Sequence, residues 1–219
     1  MIHITIDGLS GSGKSTICKR LSTKLGIFYA DPNMIVNAIS LKCVKSGINP
    51  TSERDVANLL LKTKVTFMHG PSGTKVKLDG EDVTGMLGHR MVLQSFYAVS
   101  SLKCVKNYIA KLQEKVLKTT SAIIEGLDVG DVDITKIKHK FFLTCDVNKR
   151  VQRKLDALRS KEIFNITYEQ LLEDTIESDN NAYVGEMSKI KLTQDINIID
   201  TTDKSIDAIL DEIIKIIGV

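Results

Sequence analysis

Tryptophan is absent from this sequence, and aromatic residues make up only 5% of its 219 positions. Its 24 lysines and six arginines exceed the 27 acidic residues by only three charges, and they form no long basic run. A protein that binds nucleic acid along a groove combines a basic surface with aromatic side chains that stack on the bases. The composition therefore argues against nucleic acid as a main partner.

Long apolar runs are also absent. No run approaches the roughly 20 residues that a helix needs to cross a membrane, and Met1 leads directly into a predicted strand. We therefore expect no membrane segment and no signal peptide. The four cysteines and the four histidines lie too far apart for a typical zinc site. We expect the cysteines to be buried thiols in a reducing cytoplasm, and the protein to be a monomer.

The order of the predicted elements indicates an α/β fold. Short, almost wholly apolar segments, typical of parallel strands buried on both faces, lie at 2–6, 27–29, 121–125, 138–143 and 196–199. Helical patterns fill the intervals, at 14–25, 32–46, 51–62, 89–100, 102–118, 147–160, 167–179 and 204–217. This alternation predicts a doubly wound, five-stranded parallel sheet within one domain that covers residues 1–219.

One segment interrupts the alternation of strands and helices. Two runs in which apolar residues alternate with polar ones, at 64–68 and 75–78, flank the turn-forming residues Gly70–Gly73. This pattern predicts an antiparallel hairpin, which we interpret as a small β insert at about 63–85.

The segment Gly8–Ser15 reads GLSGSGKS and matches the phosphate-binding pattern G-x-x-x-x-G-K-[ST]. It follows the first predicted strand and precedes the first helix, so its glycines let the backbone N–H groups turn toward a phosphate at the helix N-terminus. Lys14 would reach the β- and γ-phosphates of ATP, and the Ser15 hydroxyl would bind Mg²⁺. The predicted ATP-binding residues are Gly8, Ser10, Gly11, Ser12, Gly13, Lys14, Ser15 and Thr16.

An apolar strand, Ala122–Ile124, leads into two carboxylates, Glu125 and Asp128. Ligands of open α/β sheets gather at the carboxyl ends of the strands, so we expect both acids to face the phosphates. Glu125 could hold a water molecule bound to Mg²⁺, and Asp128 could orient the hydroxyl or phosphate of an acceptor. The alternative is that both residues cap the segment that follows.

Three of the six arginines lie between positions 150 and 159. Arg150 and Arg153 are spaced i, i+3 on one face of a predicted helix, and guanidinium groups suit the charge of a transferring phosphoryl group. We therefore predict that Arg150 and Arg153 are catalytic and lie on an α-helical lid over about 147–180. Lys14 and Asp128 are the other predicted catalytic residues. A solvated helix face is the alternative. A GTPase is disfavoured, because the sequence has no N-K-x-D motif to recognise guanine.

These motifs, in this order, resemble those of bacterial-type cytidylate kinases, and the resemblance covers essentially the whole chain. Thr5–Thr16, with the sequence TIDGLSGSGKST, is similar to the family's opening T-I-D-G-P-S-G-[AS]-G-K-[GS]-T. Three later segments resemble the family's G-x-D-V-[ST], K-x-F-L and I-D-T-[ST] motifs; they are Gly80–Thr84, Lys140–Leu143 and Ile199–Thr202. The resemblance implies a kinase that passes the γ-phosphate of ATP to CMP or dCMP.

The residues that would bind the acceptor depart from the family pattern. Asp31 is retained, but Asn37, Gly88, Lys106 and Leu127 stand where the family carries arginine. The remaining candidates for acceptor binding are Asp31, Lys106 and Asp128. Losing about four charge-assisted contacts, each worth roughly 1.5–3 kcal/mol, would weaken the binding of a monophosphate severely unless other cations replace them.

Three alternative functions stay open. A kinase with a less charged acceptor, such as a nucleoside, would suit the neutral residues in the acceptor half. A catalytically degenerate protein would bind ATP without transferring a phosphoryl group, although the retention of Lys14 argues against complete decay of the site. A kinase that acts on DNA is disfavoured by the scarcity of aromatic side chains.

Overall fold

The computed structural model describes residues 1–70, 73–125, 137–160, 166–190 and 195–218. The strands among these residues are β1 (His3–Gly8), β2 (Phe28–Tyr29), β3 (Val65–Gly70), β4 (Gly73–Leu78), β5 (Glu81–Asp82), β6 (Ala122–Glu125), β7 (His139–Thr144) and β8 (Ile196–Asp200). The helices are α1 (Lys14–Leu25), α2 (Pro32–Lys45), α3 (Glu53–Leu60), α4 (Arg90–Ser101), α5 (Lys103–Thr119), α6 (Val147–Arg159), α7 (Tyr168–Ile190) and α8 (Ile206–Ile217).

The described residues form two compact units. The first comprises Met1–Tyr29 together with the described residues after Thr120, and the second comprises Ala30–Thr120. The first unit therefore contains the parallel strands, with helices α1, α6, α7 and α8.

The first unit is built on a five-stranded sheet in the order β2-β6-β1-β7-β8. Every neighbouring pair of strands in it is parallel. Each of the five strands lies where the apolar segments of the sequence predict one, so the predicted sheet is confirmed.

Apolar side chains from the sheet and from the helices packed on it form the core of this unit. Ile4 and Ile6 of β1 are fully buried, and they pack in one cluster with Leu21 of α1 and with Ile209 and Ile213 of α8. The i, i+4 spacing of the last pair places both side chains on one face of the helix, toward the sheet.

The predicted helices are confirmed, and the largest difference is at the end of α7. The sequence pattern predicts its end at 179, whereas the helix continues to Ile190. The extra turns contain Asn180, Asn181 and Gly185, which are poor helix formers, so local propensity underestimates the length of this helix.

The second unit combines helices α2 to α5 with a three-stranded antiparallel sheet in the order β3-β4-β5. The predicted hairpin is therefore confirmed, and the short strand β5 extends it through pairing with β4. Val76 and Leu78 of β4 pack against Ala38 and Leu41 of α2 in a buried cluster. Tyr108 of α5 also fixes the start of β3, because its hydroxyl accepts a hydrogen bond from Val65 N at 3.0 Å.

No helix in the described part of the chain is long and apolar enough to span a lipid bilayer. All four cysteines lie in this part and none forms a disulfide. Cys18, Cys43 and Cys145 are buried, as the sequence predicts, whereas Cys104 is half-buried.

The end of β1 approaches β7 more closely than any residue with a side chain would allow. Gly8 pairs with Leu143 in the parallel ladder. A Cβ atom on Gly8 would lie 2.2 Å from Leu143 O and 2.9 Å from Leu143 N. These are backbone atoms of a central strand, which have little freedom to move.

We predict that Gly8→Ala destabilises the fold by about 3 kcal/mol or more, because the two strands must separate where the phosphate-binding loop begins. Urea unfolding measures the change. Gly26→Ala is the matched control, since Gly26 also has a positive φ but no neighbouring atom lies within 4 Å of its Cβ position; it should lose only about 1 kcal/mol. Equal losses in the two variants would contradict the close approach.

Strand β7 also carries a buried charge. The Lys140 side chain is 1% exposed, and its Nζ lies 2.6 Å from Oδ2 of Asp195, whose side chain is 59% exposed. This hydrogen bond lowers the pKa of the Asp195 carboxyl. The contribution of the pair to stability is therefore present above a pH of about 4 and is lost as the pH falls through the lowered pKa.

We predict that Asp195→Ala destabilises the protein more than Lys140→Met does. The first substitution leaves a buried ammonium group unpaired and should cost about 2–3 kcal/mol, whereas the second replaces that group with an apolar side chain of similar length. Chemical denaturation at pH 7 measures both variants. In the Lys140→Met background, Asp195→Ala should have almost no further effect, and a loss as large as in the wild type would contradict the pairing.

Candidate active site

The loop between β1 and α1 has the backbone geometry of an anion-binding turn. Gly11 and Gly13 have φ angles of +84° and +97°, values that favour glycine. Ser12 N donates to Leu9 O at 3.1 Å and closes the turn. Gly13 is the N-cap of α1 and supplies no side-chain hydrogen bond to the first turn of the helix. The N–H groups of that turn and the positive end of the helix dipole therefore suit a phosphate group.

Lys14 lies at the start of α1 and folds back over the loop. Its Nζ donates to Gly8 O at 2.6 Å and to Leu9 O at 3.2 Å. The ammonium group is thus held beside the predicted phosphate position by neutral carbonyl groups, which it can exchange for phosphate oxygens.

A hydroxyl and a carboxylate stand together at the start of α1 and the end of β6. Ser15 Oγ donates to Glu125 Oε1 at 2.9 Å. The hydroxyl of Tyr29, at the end of β2, donates to the other oxygen of the same carboxylate. Magnesium prefers oxygen ligands of this kind, so Ser15 and Glu125 fit the ion that the sequence predicts here.

Arg150 lies in α6 and contacts protein atoms on three sides. Its side chain is 2% exposed, and it forms a bidentate ion pair with Asp179 of α7. Its Nε donates to Cys145 O at 3.0 Å, and one terminal nitrogen donates to Ser10 O in the loop at 3.1 Å. The predicted catalytic role of Arg150 stays a prediction, and its contacts in this structure are with the loop and α7.

Arg153, one turn later, contacts the segment after β8. One terminal nitrogen donates to Thr201 O at 2.8 Å. The other lies 3.3 Å from Cys145 Sγ and 3.4 Å from Thr201 Oγ1. Thr201 Oγ1 in turn lies 3.0 Å from Ser12 O and 3.0 Å from Thr144 O. The end of β7, the loop and α6 therefore meet at one buried threonine.

A further cation, Lys154, lies beside the loop. A Cβ atom on Gly11 would be 3.4 Å from Lys154 Cε, and Lys154 Nζ donates to Thr175 Oγ1 at 2.8 Å. Burial lowers the pKa of the Lys154 ammonium group, and the neighbouring Arg150 guanidinium lowers it further. The sequence analysis gives no role to Lys154, because a lysine in a predicted helix carries no signal of its neighbours.

The first unit brings together most of the predicted site residues: the ATP-binding residues of the loop, Glu125, Arg150 and Arg153. The two acceptor candidates that are described belong to the second unit. Asp31 is buried and is the N-cap of α2, where its carboxylate accepts from Asn33 N at 2.9 Å. Lys106 is exposed on α5. Asp128 and Leu127 lie outside the described residues.

Besides Lys154, three residues of the site are missing from the sequence predictions: Tyr29, Asp179 and Thr201. Thr201 falls in the segment Ile199–Thr202, which the family resemblance includes, but the pattern alone does not show which hydroxyl faces the loop. Tyr29 belongs to no motif, and Asp179 lies in the segment Ser178–Gly185, which keeps little of the family's late R-D-x-x-D-x-x-R pattern. Their contacts with Glu125 and Arg150 span 96 and 29 positions of the chain.

Comparison with known proteins supports the same family. The family model described as "Cytidylate kinase" matches residues 4–218. The cytidylate kinase of Caldicellulosiruptor bescii is 30% identical over 215 residues, which cover 98% of this chain and 95% of that protein. The cytidylate kinase of Caldicellulosiruptor saccharolyticus is 31% identical over 215 residues, with the same two coverages. That of Thermotoga maritima is 30% identical over 218 residues, covering 98% of this chain and 96% of the relative.

Solved structures agree on the fold. An uncharacterized protein from Eubacterium ventriosum aligns with a TM-score of 0.52 at 15% identity, covering 100% of this chain and 99% of the other. Shikimate kinase from Bacteroides thetaiotaomicron aligns with a TM-score of 0.51 at 12% identity, with the same coverages. At these identities the similarity shows the architecture alone. With a family match over nearly the whole sequence and relatives of 30% identity or more, the chain belongs to the cytidylate kinase family of nucleoside monophosphate kinases.

Proposed function

We propose that this enzyme transfers the γ-phosphoryl group of ATP to CMP or dCMP. The observation that carries the proposal is the pairing of Ser15 with Glu125 beside a loop whose backbone suits a phosphate. The named cytidylate kinases among its relatives support the choice of acceptor.

The loop would bind the phosphates of ATP through backbone N–H groups and through Lys14. Phosphoryl transfer demands little covalent chemistry from the protein, so positioning and charge neutralisation supply most of the catalysis. Lys14 would leave the carbonyls of Gly8 and Leu9 and neutralise the β- and γ-phosphates.

Ser15 and Glu125 would hold Mg²⁺, Ser15 through its hydroxyl and Glu125 directly or through a bound water. The ion would reduce the negative charge of the phosphates during the transfer. Tyr29 would keep the Glu125 carboxylate oriented toward Ser15, because it donates to the oxygen that Ser15 does not contact.

Of the two arginines in α6, Arg153 suits direct contact with the transferring group better than Arg150 does. Arg153 contacts uncharged oxygen and sulfur atoms, which it can exchange for phosphate oxygens at low cost. Arg150 would first have to break a buried, bidentate ion pair with Asp179, which costs far more free energy than the exchange by Arg153 does.

Asp31, Lys106 and Asp128 are the proposed acceptor-binding residues, with Lys106 supplying positive charge for the acceptor phosphate. A nucleoside is the second candidate acceptor, and Asn37 favours it. This residue of α2 stands where the family carries arginine, and its amide oxygen is buried without a hydrogen-bond partner. A neutral side chain at that position suits an acceptor with less charge.

We further propose that the enzyme works as a monomer in the cytoplasm. The support for the compartment is the absence of any disulfide among the four cysteines, all of which lie in the described residues.

We predict that CMP and dCMP stimulate the release of ADP from ATP and Mg²⁺ more than other nucleoside monophosphates or any nucleoside do. A coupled ADP assay with purified protein measures this over a panel of acceptors. Stimulation by nucleosides but not by CMP would favour the second candidate. A panel without any stimulating acceptor would overturn both.

We also predict that Lys14→Ala lowers kcat by about a hundredfold or more, because a charge aimed at the transferring phosphate is lost. Lys24→Ala is the control from the same helix: its ammonium group forms an exposed ion pair with Asp211, so turnover should stay at the wild-type level. Steady-state kinetics measure both variants, and thermal unfolding checks that each is folded. Near-wild-type turnover by folded Lys14→Ala would contradict the assigned role.

A further inference from the structure

We propose that Thr201 and Arg150 are positioning residues for ATP binding, each of which holds one backbone carbonyl of the phosphate-binding loop away from the phosphates. Thr201 holds Ser12 O and Arg150 holds Ser10 O. We call this pair of contacts the carbonyl clamp. The inference rests on the proposed function, because it concerns how the loop is shaped to bind ATP.

The clamp acts through the geometry of the peptide bond. In a trans peptide, the carbonyl and the N–H group of the same unit point to opposite sides, and no described peptide bond is cis. A donor that fixes Ser10 O therefore directs Gly11 N–H to the other side of the loop. Fixing Ser12 O directs Gly13 N–H in the same way.

These two N–H groups are among those that the turn itself leaves available. Ser12 N already donates to Leu9 O within the loop. Because Gly11 and Gly13 have no Cβ, their backbones, which both have a positive φ here, could adopt other conformations at little cost if nothing fixed the adjoining peptide units. The clamp removes that freedom before a ligand arrives, which reduces the entropy lost on binding.

Thr201 is well placed for this task. It is 1% exposed, and its own N–H donates to Thr144 O at 2.9 Å, which fixes it to the end of β7. Its hydroxyl lies 3.0 Å from both Ser12 O and Thr144 O. Because Thr144 O already accepts from Thr201 N, the single hydroxyl proton can be given to Ser12 O. Thr201 therefore joins the loop, through its hydroxyl, to the end of β7, which its N–H contacts.

Arg150 is fixed just as firmly. Asp179 and Cys145 O hold its guanidinium group from two directions while it donates to Ser10 O. The loop also packs directly on α6, the helix that carries Arg150. A Cβ atom on Gly11 would lie 3.1 Å from Arg150 Cβ and 3.3 Å from Arg150 O. Asp179 thus acts on the loop through Arg150.

The test compares Thr201→Val, which removes the hydroxyl and keeps the shape, with Thr201→Ser, which keeps the hydroxyl. Calorimetric titration with ATP and Mg²⁺, without acceptor, measures Kd, and steady-state kinetics measure KM for each substrate. Thr201→Val should raise Kd and KM for ATP about five- to tenfold and leave KM for the acceptor unchanged. Thr201→Ser should have the wild-type values of all three constants.

Thr202→Val is the matched control. Thr202 is the next residue, and its hydroxyl also loses its hydrogen bonds on substitution. That hydroxyl donates to Asp200 and accepts from Asp146 N, and neither residue belongs to the loop. Its Kd for ATP should equal that of the wild type. If Thr201→Val does not fold, Asp179→Asn provides the test, because it weakens the hold on Arg150 and should also raise Kd for ATP.

The outcomes separate this inference from the proposed function. A wild-type protein that binds no ATP would overturn the proposed function and the clamp together. A wild-type protein that binds ATP, with a folded Thr201→Val variant that binds it equally well, would overturn the clamp alone. Failure of Thr201→Ser to restore binding would also overturn it, because the hydroxyl would not be the group responsible.

Discussion

The attraction between a phosphate and the amino end of α1 is the interaction on which this site depends. It requires a first turn of helix with uncapped N–H groups, a loop whose glycines accept positive φ angles, and a strand that ends where the loop begins. Gly8 meets the last requirement, because only a residue without Cβ can end β1 so close to Leu143. The close packing of β1 on β7 is therefore part of the binding site as well as part of the core.

The parallel sheet explains why residues distant in sequence meet at the loop. Parallel strands end at the same edge, and all five lead to the site there: β1 runs into the loop, β2 ends at Tyr29, β6 ends at Glu125, β7 ends at Thr144, and Thr201 follows β8. Their side chains and carbonyls then form a network that reaches the loop from outside. A substitution that disturbs β7 or β8 should therefore weaken nucleotide binding even where the substituted residue contacts no ligand.

Much of the fold was predictable from sequence because its signals are local. The apolar strand segments, the glycine spacing of Gly8–Ser15 and the Asp31 N-cap before Pro32 each act within a few residues. The partners of Arg150 were not predictable, because Asp179 lies 29 residues away on another helix and Ser10 offers only a backbone carbonyl. The i, i+3 spacing of Arg150 and Arg153 correctly predicts one shared helix face, and both arginines do contact Cys145. Spacing could not reveal that this face meets the loop, Asp179 and Thr201.

Amide chemical shifts test the central claim, that backbone N–H groups of the loop bind the triphosphate, most directly. In ¹⁵N-labelled protein titrated with ATP and Mg²⁺, the amide resonances of Gly11 and Gly13 should move downfield and saturate together as hydrogen bonds to phosphate oxygens form. Saturable shifts elsewhere in the protein, with the Gly11 and Gly13 resonances unmoved, would contradict the account.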